Sequence, residues 1–143
     1  MIVGSYSGII SPKRRTAIPK KFLHELGTKV IIAKWYENCL AIVSTDTWNA
    51  LLKRLVGKDQ LATSPVRDTE RFILGSAFEL EPDSQGRVVI PQFLMDFARL
   101  TNRLTFIGLG DKVEVWDEDT WKEKEKEVAD KAEEMIEQLA NKR

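Results

Sequence analysis

The pattern of apolar and polar positions predicts the same series of elements twice along the chain. Each half begins with a strand, a turn and a short second strand, continues with a helix that starts at an Ile-Pro pair, and ends with two strands. In the first half the strands are expected over 2–10, 15–18, 29–33 and 40–43, and the helix over 19–26. In the second half the strands are expected over 78–81, 87–90, 104–107 and 113–116, and the helix over 91–100. A loop that contains Gly108, Gly110 and Asp111 is expected between the last two strands.

The residues themselves repeat along with the elements. Arg-Thr-Ala-Ile-Pro at 15–19 returns as Arg-Val-Val-Ile-Pro at 87–91, and Asp-Thr-Trp at 46–48 returns at 119–121. Two copies are fewer than the roughly three stacked units that a solenoid needs. One copy alone is also too small to bury a sufficient core. The repeat therefore predicts an α+β body in which two units pack or interleave about a pseudo-two-fold axis.

A helix is predicted after each unit, because Asp46 and Asp119 stand in acidic, capped helix starts. A linker is expected over 57–65 and a short helix over 68–74. The predicted domains are a first repeat over 1–56, a linker with its short helix over 57–75, a second repeat over 76–121 and a helical tail over 122–143.

The last helix is expected to run over 119–141 and to carry a narrow apolar stripe. The stripe has coiled-coil-like spacings and consists of Trp121, Val128, Ala132, Met135 and Leu139. Such a stripe fits a helix that lies on its own domain, and it equally fits contact with another subunit. Both interpretations stay open from the residues alone.

The net charge of zero conceals a difference between the two halves. Residues 1–72 contain 12 Lys and Arg against 6 Asp and Glu, whereas residues 73–143 contain 10 against 16. This polarity indicates an anionic partner for the first half, or attraction between opposite ends of one chain or of neighbouring subunits.

Several classes of protein are disfavoured by composition. No stretch approaches the ~18 consecutive apolar residues of a membrane helix, so no membrane partner is expected. The single cysteine, Cys39, excludes an internal disulfide and fits a reducing cytoplasm. With one histidine, His24, a His/Cys zinc site cannot be built within one chain. We expect no enzyme, no catalytic residue, no metal and no cofactor. Cys39 is interpreted as a small core residue.

The turn before the second short strand carries the most specific chemistry. In Asp83-Ser84-Gln85-Gly86-Arg87, Asp83 and Gly86 suit a type I turn, but no turn requires Arg87. Arginine beside a rigid turn can reach a phosphate or a guanine edge. The equivalent arginine of the first half lies among further basic residues. The predicted DNA-binding residues are Lys13, Arg14, Arg15, Lys20, Lys21 and Arg87.

Asp-x-x-Gly-Arg followed by an apolar strand and Ile-Pro, in two tandem copies, resembles the MraZ family of bacterial transcriptional regulators. Further matches lie at 37–40, 108–111 and 115–117, so the resemblance covers nearly the whole chain. It implies two tandem swapped-hairpin β-barrel halves of the AbrB/SpoVT type, with peripheral helices and a C-terminal helix. It also implies a closed homo-oligomeric ring that binds double-stranded DNA at direct repeats upstream of the division and cell-wall gene cluster, in the cytoplasm and associated with the nucleoid. An antitoxin-type or other protein-binding module on the same barrel is the alternative.

The first copy departs from this family pattern, because Ser11 and Arg14 replace the motif's Asp and Gly. Pro12 fits the second position of a type I turn, so the turn should still form, with Ser11 as a weaker acceptor. Arg14 must adopt the backbone that glycine would have, and a left-handed conformation would cost roughly 1–2 kcal/mol. We expect the DNA face to centre on the first unit, and the acidic second unit to contribute less or to make subunit contacts.

Overall fold

The computed structural model describes residues 1–55 and 64–141. The strands are β1 Ile2–Ile9, β2 Arg15–Ala17, β3 Val30–Lys34, β4 Leu40–Ser44, β5 Phe78–Leu80, β6 Arg87–Val89, β7 Arg103–Gly110 and β8 Lys112–Asp117. The helices are α1 Lys20–Leu26, α2 Thr45–Leu55, α3 Ser64–Ile73, α4 Gln92–Ala98 and α5 Glu118–Asn141. Short 3₁₀ turns cover Tyr36–Asn38 and Leu74–Ser76. The predicted α+β class and the repeated order of elements are confirmed, with α3 between the two copies.

The two copies exchange strands. The first strand of the first copy, β1, pairs antiparallel with β7 of the second copy, and β5 of the second copy pairs antiparallel with β3 of the first. The equivalent strands β4 and β8 pair with each other, as do β2 and β6. Neither copy therefore has a complete sheet of its own, which is how two units too small for separate cores share one.

The paired strands do not close into a barrel, so that part of the predicted fold is wrong. Six strands form an open antiparallel sheet in the order β1-β7-β8-β4-β3-β5, and β2 and β6 form a separate two-stranded ribbon. The physical reason is that β2 and β6, which follow the two edge strands in sequence, pair with each other and not with the sheet. Among the described residues, β1 and β5 are therefore left as sheet edges.

One face of the sheet carries the main core. Buried residues from β3, β4, β7 and β8 pack there against the apolar sides of α1 and α4, with Phe22, Leu94 and Phe106 among the residues that are fully buried. The ribbon closes this core with Val88, and Ile18 and Ile90 follow the two ribbon strands into it. The core therefore fixes the ribbon and both short helices on one side of the molecule.

The opposite face of the sheet carries a smaller cluster. Cys39, Ile107 and Trp116 are buried there, and Trp121 at the start of α5 packs beside Trp116 with ring centroids 5.3 Å apart. Beyond this first turn α5 has exposed apolar residues, with Val128 39%, Met135 37% and Leu139 72% exposed. The distal stripe thus does not pack on the described part of its own chain.

Most element boundaries differ from prediction by one to three residues. Pro19 occupies the N-cap position, one residue before α1 begins. At the other end of α1 the N–H of Gly27 donates to the Leu23 carbonyl. Gly108 and Gly110 lie inside β7 and not in a loop, because β1 pairs along the whole of β7. The short helix predicted over 68–74 is α3, which already includes positions 64 and 65 of the predicted linker. Positions 57–63 of that linker lie outside the described residues. Within the described ranges, every helix is too short or too polar to cross a bilayer.

Candidate nucleic-acid interface

The turns before β2 and β6 have the same backbone hydrogen bonds. In the first turn the N–H of Arg14 donates to the Ser11 carbonyl (2.9 Å), and the N–H of Ser11 donates to the Arg15 carbonyl (3.0 Å). In the second turn Gly86 and Asp83 donate to the carbonyls of Asp83 and Arg87 at 2.9 and 3.0 Å. The prediction that the altered first turn still forms is therefore confirmed.

The residue that replaces the motif glycine keeps the glycine backbone. Arg14 has φ 64° and Gly86 has φ 77°, so both lie in the left-handed region that costs a residue with a side chain roughly 1–2 kcal/mol. The guanidinium Nη1 of Arg14 donates to the carbonyl oxygen of Ile90 (3.1 Å), and the N–H of Ile90 donates back to the Arg14 carbonyl (2.9 Å). Arg14 therefore connects the first turn to the end of the other unit's ribbon strand.

The ribbon brings the two motif arginines onto one exposed face. Arg15 lies opposite Val89, and Ala17 lies opposite Arg87 in the antiparallel register. Side chains alternate across a strand, so these four residues share a face while Thr16 and Val88 point into the protein. Arg15 and Arg87 thus project from the same small surface, although they are 72 positions apart in sequence.

The two arginines differ in their electrostatic surroundings. The Nε of Arg87 donates to Oδ2 of Asp83 (2.8 Å), while Oδ1 of Asp83 accepts the backbone N–H groups of Gln85 and Arg87 (each 2.9 Å). The backbone N–H of Arg87 first, and its side chain next, hold the pKa of the Asp83 carboxyl below its usual range. At the first turn the Ser11 hydroxyl accepts the N–H of Arg15 (3.1 Å), which confirms its predicted role as an acceptor. The hydroxyl brings no charge.

A groove of about 550 Å³ runs beside the arginines. Its lining consists of Ile9, Ser11, Pro12, Lys13, Arg15, Thr16, Ala17 and Arg87. The predicted residues Ser11, Pro12, Lys13, Arg15 and Arg87 therefore meet at one place. Sequence reasoning missed Ile9, Thr16 and Ala17. Ile9 lies beside them because its carbonyl accepts the Thr16 hydroxyl (2.9 Å), and Ala17 lies beside Arg87 because β2 pairs with β6.

The remaining predicted lysines lie on the exposed first turn of α1. Lys20 lines a separate hollow of about 410 Å³ together with His24 and Asp83, next to the second turn. Lys21 is exposed and lines neither the groove nor this hollow. The structure thus places Lys13, Arg15 and Arg87 together, Lys20 next to them at the second turn, and Lys21 farther along the helix.

Arginine guanidinium groups on an exposed ribbon face can bind anions. A guanidinium forms paired hydrogen bonds to two phosphate oxygens or to the O6 and N7 atoms of guanine. A two-stranded antiparallel ribbon has dimensions that fit the major groove of B-DNA. The two ribbon arginines are presented in a geometry that suits a nucleic acid.

The single cysteine and the single histidine lie away from the ribbon face. Cys39 is fully buried and packs against Ile107 and Trp116, as interpreted from sequence. Burial and the nearby Glu114 carboxylate raise the pKa of the Cys39 thiol, so the nucleophilic thiolate is disfavoured. His24 is exposed on α1. Over residues 1–55 and 64–141, no three His, Cys, Asp or Glu side chains are grouped as metal ligands would be.

Comparison with known proteins identifies relatives over the whole chain. The family described as "MraZ protein, putative antitoxin-like" matches residues 73–142. The transcriptional regulator MraZ of Caldanaerobacter subterraneus subsp. tengcongensis is 37% identical over 141 residues, which cover 99% of this chain and 98% of the relative. The transcriptional regulators MraZ of Leuconostoc citreum and Bifidobacterium longum are 33% and 31% identical, over 99% and 95% of this chain and 98% and 93% of the relatives. The chain belongs to the MraZ family of transcriptional regulators.

Proposed function

We propose that the chain regulates transcription by binding double-stranded DNA with the exposed face of the β2–β6 ribbon. The observation that carries this proposal is the position of Arg15 and Arg87 on one solvent-facing surface of a single ribbon. Arg15 and Lys13 attract the phosphate backbone, and both arginines face the major groove. Several such cations release counterions from DNA, so affinity falls steeply as salt rises.

The other predicted basic residues have graded roles in this proposal. Lys20 and Lys21 extend the positive surface along α1 toward the phosphates that flank the groove. Arg14 adds charge at the first turn, but its main role is to hold that turn against Ile90. Asp83, Gly86, Ser11 and Pro12 shape the two turns and do not themselves contact DNA. The DNA face therefore centres on the first unit.

We propose further that the exchanged strands are the swapped hairpins of an AbrB/SpoVT-type fold, with repeats over 1–56 and 76–121. Copies of the chain then form a closed ring in the cytoplasm, on the nucleoid, and the ring presents identical ribbons side by side. Direct repeats upstream of the division and cell-wall gene cluster are the proposed target. One ribbon makes few contacts, so linked ribbons on tandem repeats gain affinity from effective concentration.

A gel-shift titration on the DNA upstream of the chain's own gene tests the proposal. Wild type, Arg15→Ala and Arg87→Ala are compared at several salt concentrations, with scrambled DNA of equal length as the control. We expect a steep salt dependence for wild type and weaker binding for both variants. Wild-type binding that does not distinguish the two DNAs, or that is indifferent to salt, would overturn it. Sedimentation of wild type with DNA that contains one, two or four repeats measures the size of the complex, and it tests the ring separately.

The distal part of α5 supports a second candidate, a module that binds another protein. Val128, Met135 and Leu139 are exposed along one stripe of this helix. Removal of residues 128–143 separates the candidates. Loss of DNA binding together with loss of the oligomer assigns the tail to self-assembly. An intact oligomer that still binds DNA leaves the tail available for a protein partner.

A further inference from the structure

The two ribbon arginines are held in different ways. The guanidinium of Arg87 is fixed by the Asp83 carboxylate, whose Oδ2 accepts its Nε at 2.8 Å. The carboxylate is itself fixed, because Oδ1 accepts two backbone N–H groups of the same turn. The direction of the Arg87 side chain is therefore set by the turn before any ligand arrives.

This pairing changes what Arg87 can bind well. A carboxylate in direct contact offsets much of the guanidinium charge, so the attraction for a phosphate is weakened. The terminal Nη1 and Nη2 groups stay available as donors within the described part of the chain. A side chain that is already fixed loses less rotamer entropy on binding. Arg87 therefore keeps its directional hydrogen bonds to a ligand, while its non-directional attraction for phosphate is reduced.

Arg15 has the opposite properties. The residue equivalent to Asp83 is Ser11, whose hydroxyl accepts the backbone N–H of Arg15 at 3.1 Å. Over residues 1–55 and 64–141, no carboxylate lies within ion-pair distance of the Arg15 guanidinium. Its charge is uncompensated and its side chain is not fixed, which suits a phosphate more than a base edge.

We propose that Asp83 is a specificity-determining positioning residue, which aims Arg87 at the O6 and N7 atoms of a guanine while Arg15 contacts phosphate. The inference rests on the proposed DNA-binding function. Bidentate contact of arginine with guanine is the commonest specific contact in the major groove. Ala17 lies opposite Arg87 in the ribbon, and its small side chain allows the ribbon to approach the base edges closely. The first unit thus provides affinity and the second unit provides sequence discrimination.

Asp83→Asn tests this proposal with little change to the turn. The amide oxygen can still accept the backbone N–H groups of Gln85 and Arg87, but the neutral side chain no longer forms the ion pair with Nε. The measured quantity is the ratio of dissociation constants for scrambled and upstream DNA. We expect this ratio to fall about tenfold or more, with the salt dependence as steep as wild type or steeper. Replacing single guanines by 7-deazaguanine, which lacks the N7 acceptor, should weaken wild type and leave the variant nearly unchanged.

Two matched variants complete the test. Arg87→Lys keeps the positive charge and the turn but loses the paired donors of the guanidinium. It should lower the ratio of dissociation constants for scrambled and upstream DNA. Ser11→Asp places a carboxylate beside Arg15, and it should weaken binding to both DNAs and make the salt dependence shallower. If the ratio of dissociation constants for Asp83→Asn and Arg87→Lys stays within twofold of wild type, the inference is overturned. The proposed function is not overturned by that result, because wild type still binds. Failure of wild type to bind either DNA overturns the proposed function as well.

Discussion

The two turns that precede the ribbon strands share a backbone and differ in chemistry. Both close with the same two backbone hydrogen bonds and a left-handed residue at the same position. The second uses Asp83 and Gly86, and the first uses Ser11 and Arg14. The shape of the turn is therefore preserved by the same main-chain hydrogen bonds, together with a side-chain oxygen at the first position that accepts the N–H of the arginine. The charge that each turn presents to solvent is free to diverge, and the proposed division of roles between the two units rests on this divergence.

The exchanged strands differ in extent in a similar way. β1 pairs with β7 over eight residues, whereas β5 pairs with β3 over only three. The longer pair needs a close approach, since a Cβ at Gly108 would lie 2.8 Å from the backbone of Ile2 and Val3. The edge strand of the first unit thus pairs with the second unit over more residues than the edge strand of the second unit pairs with the first.

Gly108→Ala should have the largest effect, because backbone atoms cannot move aside as a flexible side chain can. We expect a loss of about 2–3 kcal/mol in the free energy of unfolding, measured by urea denaturation. Gly75→Ala is the control, since a Cβ there meets nothing within 4 Å. Equal stability of the two variants would show that the β1–β7 approach can relax.

Gly86→Ala should have the next largest effect and compares the turns directly. Its Cβ would lie 2.9 Å from Leu23 Cδ2, at a φ that also strains any residue with a side chain. We expect about 1–2 kcal/mol of destabilisation, measured by thermal unfolding. Arg14→Gly relieves the same strain but removes the bond to Ile90, so it should stay within about 1 kcal/mol of wild type. A large loss in that variant would mean that the arginine contact, and not the turn, dominates.

Arg15→Ala should weaken binding to upstream and scrambled DNA alike, by about tenfold, and should make the salt dependence shallower by about one ion per bound subunit. The reason is that the lost charge has no carboxylate partner in the part of the chain that the structure describes. Arg87→Ala also removes one positive charge but leaves the Asp83 carboxylate unpaired, and it should lower the preference for upstream over scrambled DNA more than Arg15→Ala does. If Arg15→Ala leaves affinity unchanged while Arg87→Ala abolishes it, the first unit is not the centre of the DNA face.

The smallest expected effect is on the stability of the protein at low pH. The pKa of Asp83 is lowered in the folded state. Its stabilising contribution is therefore present above the unfolded-state pKa of about 3.9 and is lost as pH falls through the lower folded value. Asp83→Asn should lose less stability than wild type as the pH falls below the unfolded-state value, as followed by urea midpoints. A parallel decline of both proteins would show that this carboxylate does not contribute.

The candidate site was only partly predictable. Repetition of Arg15 and Arg87 beside matching turns identified the arginines, since local turn chemistry is written in neighbouring residues. Their shared groove with Ile9 and Ala17 was not predictable, because it arises from pairing between strands that are 72 positions apart. The ion pair of Asp83 with Arg87 joins residues that are close in sequence. Whether other charged groups lie near this pair depends on the folded surface, so the sequence alone does not show it.

The sequence by itself determined the repeated elements, the two turns, the burial of Cys39 and the difference in charge between the halves. These follow from periodicity and from contacts between near neighbours, which act whatever the rest of the chain does. Only the tertiary structure decided that the sheet stays open, that β2 pairs with β6, and that residues 1–55 and 64–117 do not cover the distal stripe of α5. Each of these results from competition among distant segments for the same backbone hydrogen bonds and the same apolar surface, and the outcome depends on the whole folded chain.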